Sequence, residues 1–170
     1  MSDNRSDSVS FGEAFKKARL SGRTALFLSA WFGAGLIPKA PGTFGTLTAL
    51  PLAVAFQHVG GLYAACGLAA FILLAAGSSG QSQVLLGRKD PPEVVIDEAA
   101  GLLVTLFLVP PSRLSLALGF VFFRIFDILK PFPIGRLERI GGGTGIVLDD
   151  LMAGVYANLC VRVVLFLLAP

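Results

Sequence analysis

The sequence predicts an all-α fold, an integral membrane helical bundle of short, broken or re-entrant helices with a polar site at its cytoplasmic surface. Composition is the first reason. Of 170 residues 54% are hydrophobic and 15% charged, with a mean hydropathy of +0.75, whereas an ordinary soluble domain carries about 25% charge. The second is segmentation: apolar stretches cover approximately residues 25–37, 44–56, 62–76, 99–109, 114–129 and 146–169, divided by proline, glycine and charge. A helix rises ~1.5 Å per residue and hydrocarbon is ~30 Å thick, so the shorter stretches reach about two-thirds of the way across. Some must re-enter, be extended by polar flanks or lie against neighbours. The third is the placement of Asp97, Glu98, Asp127, Asp149 and Asp150 inside or at the edges of these stretches. An uncompensated acid at the centre of a membrane helix costs roughly 2.5–3.5 kcal/mol. The five therefore require partners: Arg124, Lys130, Arg136 and Arg139 nearby, surface water, or a divalent metal.

In chain order, residues 1–24 form a polar basic arm and residues 25–170 one membrane-embedded domain. Lys16, Lys17, Arg19 and Arg23 precede the first apolar run, which favours a cytoplasmic N-terminus. The arm reads as retained rather than as a cleaved signal, because the polar region is long and no small-residue cleavage pattern precedes Pro38–Pro41. Further cations gather at Arg88–Lys89, Arg113, Arg124–Lys130 and Arg136–Arg139, while the His58-Val59-Gly60-Gly61 turn has no Lys or Arg. The charged loops are thus assigned to the cytoplasm and the His58 turn to the other side. A net charge of +3 without a basic stripe of interleaved aromatics predicts no nucleic-acid partner. Cys66 and Cys160, both in apolar runs, read as buried free thiols.

Four motifs carry the chemistry. In Gly35-Leu-Ile-Pro-Lys-Ala-Pro-Gly-Thr-Phe-Gly-Thr46, the prolines are expected to end the first helix, Gly42 and Gly45 to free the backbone, and Thr43 to cap the next helix. Exposed amides beside Lys39 would then cradle an anion, or the segment is simply a helix connection with a good cap. Val94-Val-Ile-Asp-Glu-Ala-Ala-Gly101 places Asp97 and Gly101 on one helix face, so that a partner can approach beside the carboxylate. Gly145-Ile-Val-Leu-Asp-Asp-Leu-Met-Ala-Gly154 repeats the device with Asp150, Gly154 and Asn158. Either acidic pair alone is also what a helix dipole favours in a first turn. Phe122-Phe-Arg-Ile-Phe-Asp-Ile-Leu-Lys-Pro-Phe-Pro133 spaces Arg124, Asp127 and Lys130 by three, either a stripe facing a polar interior or a self-satisfied ion network.

Several carboxylates with several cations suit metal-assisted phosphoryl chemistry: acids bind Mg2+, while metal and cations neutralise phosphate oxygens. Other phosphatase chemistries lack their residues. Neither cysteine has an arginine six positions on, no D-x-D triplet exists, and the single histidine is assigned to the opposite side. A transporter also uses buried carboxylates beside broken helices, but here polar residues cluster at segment ends. A CDP-alcohol transferase would need an Asp-Gly pair, and none is present.

Together PKAPGTFGT, DEAAG, FRIFDILKPFP and GIVLDDLMAG, in this order and spacing, resemble the phosphatidylglycerophosphatase A family across roughly Trp31 to Asn158. The resemblance implies a helical, Mg2+-dependent phosphomonoester hydrolase of the bacterial inner membrane, acting on a phospholipid in the bilayer. On that footing Asp97, Glu98, Asp149 and Asp150 are the expected metal shell. Asp127 is a further ligand or the partner of Arg124. Lys39, Thr43, Arg124 and Lys130 are expected on the phosphate, and Glu98 is a candidate general base for water attack. A covalent aspartyl phosphate stays open as the alternative.

Overall fold

The computed structural model describes residues 9–137 and 142–168. Arg139 and the first eight residues of the arm lie outside the described residues. All regular structure among those described is helical: α1 (Phe11–Lys17), α2 (Leu20–Ser29), a 3-10 segment (Trp31–Leu36), α3 (Pro41–His58), α4 (Gly61–Leu86), α5 (Ile96–Leu106), α6 (Arg113–Leu129), α7 (Ile134–Leu137) and α8 (Gly142–Leu168). α4 and α8, of 26 and 27 residues, are each long and apolar enough to cross a bilayer. Outward residues such as Leu73, Phe166 and Leu167 are more than 70% exposed, an outer surface suited to lipid rather than water.

The arm packs against the bundle. α1 is capped by Ser10, whose hydroxyl accepts from the Glu13 amide at 3.4 Å, and its Ala14 and Phe15 lie against Leu26 and Leu86. The first apolar stretch then breaks earlier than expected. α2 ends at Ser29, not at Pro38, because the Ser29 carbonyl accepts from the Val95 amide at 2.8 Å and its hydroxyl pairs with that of Ser82 at 2.7 Å. Trp31, Phe32 and Gly33 follow in the left-handed region.

α3 also starts differently. Its N-cap is Ala40, held left-handed at φ 52° with Pro41 in the first turn, so Thr43 lies inside the helix and caps nothing. Gly42 and Gly45 are helical and buried rather than loop residues. They are glycine for space: a Cβ on Gly42 would overlap the Glu98 carboxylate, and one on Gly45 would sit 2.8 Å from Val95 Cβ.

α4 continues ten residues beyond its apolar stretch. Its serines turn inward, with Ser78 donating to the Leu74 carbonyl at 2.8 Å and Ser82 to or from Ser29. The helix interior thereby satisfies hydroxyls that lie beyond the apolar stretch. α6 opens with a capping box between Ser112 and Ser115 and closes at left-handed Lys130, after which Pro131 forbids continuation.

α5 is the hub, packed by α3, α4, α6 and α8. Its 11 residues span only ~16 Å, so its last carbonyls end within the bundle and, in lipid, must find protein donors. Asn158 supplies them: its Nδ2 lies 3.2, 2.8 and 3.0 Å from the carbonyls of Val104, Thr105 and Phe107. Arg162 adds Nη2 contacts to the Phe107 and Leu108 carbonyls at 3.0 and 2.9 Å, while its Nε donates to Asn158 Oδ1 at 2.7 Å.

Candidate active site

Two helix crossings assemble the site. Where α5 passes α8, Gly101 faces Gly154; a Cβ on Gly154 would overlap the Gly101 carbonyl, and one on Gly101 would lie 2.7 Å from the Asp150 carbonyl and strike the Phe123 ring. Only hydrogens fit between the backbones. One turn before each glycine stands its acidic pair, so the crossing brings Asp97 and Glu98 beside Asp149 and Asp150. The second crossing sets Gly143 of α8 against Gly80 of α4, with backbone atoms as its nearest neighbours, and fixes the start of α8 at the same level.

The result is a cavity of about 640 Å³ between the N-termini of α3, α5 and α8, the end of α6 and the loop after α4. All five predicted acids line it, as do Arg124 and Lys130. Asp97, Asp149 and Asp150 are only 6, 7 and 5% exposed, so bulk water does not compensate them. Arg124 Nη1 meets Asp127 Oδ2 at 2.6 Å, and Lys130 Nζ meets Asp149 Oδ2 at 2.9 Å across nineteen residues. The charged stripe on α6 is therefore not a closed network: one cation stays on its own helix and the other reaches α8.

The remaining oxygens look for something else. Asp97, Glu98 and Asp150 each offer an oxygen within 4.8 Å of the others. Glu98 Oε2 and Asp149 Oδ1 are buried without a hydrogen-bond partner among the described residues, an arrangement whose desolvation is costly unless a cation or ligand proton fills it. Among the described residues of the wall six carboxylates, with Asp90 the sixth, face three cations, Lys89, Arg124 and Lys130. That leaves an excess of three negative charges if all are ionised. Hard oxygen donors at this spacing fit a divalent cation such as Mg2+ or Ca2+. On α5, which is too short to cross a bilayer, burial pushes both carboxyls up. Asp97 is raised further by the charge of Glu98, and Glu98 reaches about 7 despite the opposing contact with Asp97 and the Arg124 charge.

The two other residues expected on a phosphate are not in this wall. Lys39 is exposed and Thr43 lies inside α3; the α3 residues on the cavity are Ala40, Pro41 and Gly42. The helix N-terminus itself, rather than the lysine or hydroxyl near it, faces the site. Conversely Gln83 and Asp90 line the cavity, as does Lys89, which the sequence marked only as a loop cation and not as a site residue. The signal for them was Pro91-Pro92, which holds the chain out of helix directly before the acidic start of α5.

The profile of the family described as Phosphatidylglycerophosphatase A matches residues 27–165. A Bacteroides thetaiotaomicron protein, provisionally named a phosphatidylinositol-3-phosphatase, is 31% identical over 81% of this chain and 91% of its own. Proteins named phosphatidylglycerophosphatase A from Escherichia coli and Haemophilus influenzae are 35% and 36% identical, over 75% and 79% of this chain and 76% and 84% of theirs. No solved structure matches. With the profile spanning every helix that builds the acidic cavity, the chain belongs to the phosphatidylglycerophosphatase A family.

Proposed function

We propose that this protein hydrolyses the terminal phosphomonoester of phosphatidylglycerophosphate, yielding phosphatidylglycerol and inorganic phosphate, with Mg2+ as cofactor. The observation that carries the reading is the single cavity in which all five acids meet Arg124, Lys130 and the start of α3. A dianionic phosphate is repelled by a wall whose described carboxylates outnumber its described cations, so a cation bound beside it would favour its entry. A divalent cation held by Asp97, Glu98 and Asp150 would supply that neutralisation and polarise the phosphoryl group.

The chain's own residues do the rest. Arg124 and Lys130, oriented by Asp127 and Asp149, bind the non-bridging oxygens together with the N-terminus of α3. Water attacks phosphorus in line, its proton passing to the unpartnered Glu98 Oε2, and the bond to the glycerol oxygen breaks. That oxygen takes up a proton and leaves as the hydroxyl of phosphatidylglycerol. The basic loop around Lys89 and the exposed Lys16, Lys17 and Arg19 of the arm lie at the cavity end of the bundle. They support a multi-pass protein of the bacterial inner membrane with its site facing the cytoplasm.

Purified protein in detergent micelles should be given phosphatidylglycerophosphate, phosphatidate and phosphatidylinositol 3-phosphate, each with Mg2+ or EDTA. The reading expects Mg2+-dependent phosphate release, fastest from phosphatidylglycerophosphate. Faster release from the phosphoinositide would reassign the substrate, and release undiminished in EDTA would remove the cofactor.

A further inference from the structure

A second cavity, of about 810 Å³, opens at the surface between α3 and α4 and is almost wholly apolar. Its volume is in the range of ligand pockets, about 300–1,000 Å³. Trp31 and Ile37 form its roof, Thr48 and Ala55 of α3 one wall, Phe71 and Leu74 of α4 the other. The sequence explains why it is open. α2 stops at Ser29 and the chain turns back toward the cavity end, so no described helix fills the space between α3 and α4 beneath it, while α5 separates those helices on the inner side. They meet again near their turn, where the Phe56 ring covers Gly67. The roof is held at a cost: Trp31 and Phe32, neither of them glycine, sit at φ 46° and 56°, a conformation worth of order 1–3 kcal/mol of strain each. The Trp31 ring stands edge-on to Phe71 at 5.5 Å.

We propose that this groove holds one acyl chain of the same lipid whose phosphate occupies the acidic cavity; this rests on the lipid-phosphatase reading above. Continuity supports it. A single segment, residues 37–42, walls both spaces, with Ile37 on the groove and Ala40, Pro41 and Gly42 on the acidic cavity. The depths also agree. Thr48 and Ala55 lie seven and fourteen residues beyond Pro41, roughly 10 and 20 Å down α3. Leu74 and Phe71 lie nine and twelve residues before Gln83 of the acidic cavity, roughly 14 and 18 Å down α4. A chain hanging from a headgroup in the cavity passes through that depth, down to the middle of a ~30 Å hydrocarbon layer. In a bilayer the groove gains little from hydrophobicity, because lipid is as apolar as protein. What it supplies is alignment: a chain fixed in the groove fixes the glycerol and holds the phosphomonoester over its ligands.

The test fills the groove. Ala55 and Leu74 are exposed groove residues, so Ala55→Trp and Leu74→Trp occupy it without entering the core; Leu73→Trp, on the neighbouring outward face, is the size-matched control. kcat/KM is measured for dipalmitoyl and dihexanoyl phosphatidylglycerophosphate in micelles. Both groove variants should lose about tenfold on the long-chain lipid and less than about twofold on the short-chain one, as expected when remote contacts align the reacting group. The control should match wild type on both. Equal losses on the two lipids, or none, would overturn the proposal, because a structural lipid or an empty groove does not discriminate by substrate chain. Wild-type protein that hydrolyses neither lipid would instead overturn the phosphatase reading, and the acyl-chain site with it.

Discussion

Gly154→Ala tests the geometry that joins the two acidic pairs with the smallest possible change. The added methyl would overlap the Gly101 carbonyl and lie 3.0 Å from Val104 Cβ. Neither neighbour is a flexible side-chain end, so α5 and α8 must part by roughly 1 Å to restore ordinary contact. Overpacking of this kind costs about 1–3 kcal/mol. It also displaces Asp150, one turn away, from Asp97 and Glu98, whose oxygens now lie within 4.8 Å of its own. Metal–ligand distances tolerate only about ±0.2 Å, so the shift should weaken cation binding more than it weakens the bundle. The assay is phosphate release from phosphatidylglycerophosphate across a Mg2+ titration, with thermal unfolding in detergent alongside. The Mg2+ concentration for half-maximal rate should rise about tenfold or more, the scale seen when supports of metal ligands are removed. A variant with unchanged half-saturation would refute the idea that this crossing sets the ligand spacing, whatever its stability.

Other expectations are independent of the glycines. Arg162→Met removes the donor to the Leu108 carbonyl, while the Phe107 carbonyl keeps its bond from Asn158 Nδ2, and should destabilise the protein by about 1–3 kcal/mol; an unchanged unfolding temperature would show that Arg162 does not stabilise the end of α5. Lys130→Met breaks the pair with Asp149 and should raise KM for the lipid while lowering turnover at least tenfold, as for loss of a charge-assisted phosphate contact; full activity would remove Lys130 from the site. Single cysteines at Lys89 and at Gly60, in a background lacking Cys66 and Cys160, should react with impermeant maleimide from the cytoplasmic and the opposite side respectively; the reverse labelling would invert the orientation.

Much of the site was legible because the chemistry is locally written. Five acids in apolar surroundings admit few explanations, and Arg124, Asp127 and Lys130, whose three-residue spacing read as either a stripe facing a polar interior or a self-satisfied network, all line the cavity while Arg124 pairs with Asp127 on the same helix. The glycines after the acids likewise read as places of close approach, which the Gly101–Gly154 contact is. What failed depended on partners distant in sequence. The end of α2 is set by Val95, sixty-six residues later, taking the Ser29 carbonyl, and no local signal records that. Gly42 and Gly45 looked like loop glycines because crowding by Glu98 and Val95 is invisible in a linear motif. Thr43 looked like a cap because Ala40 gives no hint of its left-handed backbone. Asn158 was placed on the right face, but its partner, the open end of α5, requires knowing that α5 stops after 11 residues.

The central claim is that Asp97, Glu98 and Asp150 together hold the cation that phosphate release requires. It is tested most directly by Asp150→Asn, which keeps the shape of a residue only 5% exposed and removes one anionic ligand. Phosphate release from phosphatidylglycerophosphate is measured at saturating Mg2+ on protein whose unfolding transition in detergent has been verified. Asp150→Asn should stay folded while its turnover falls at least a hundredfold, since a hard cation loses a charged oxygen donor. A folded variant with wild-type turnover and unchanged Mg2+ dependence would contradict it.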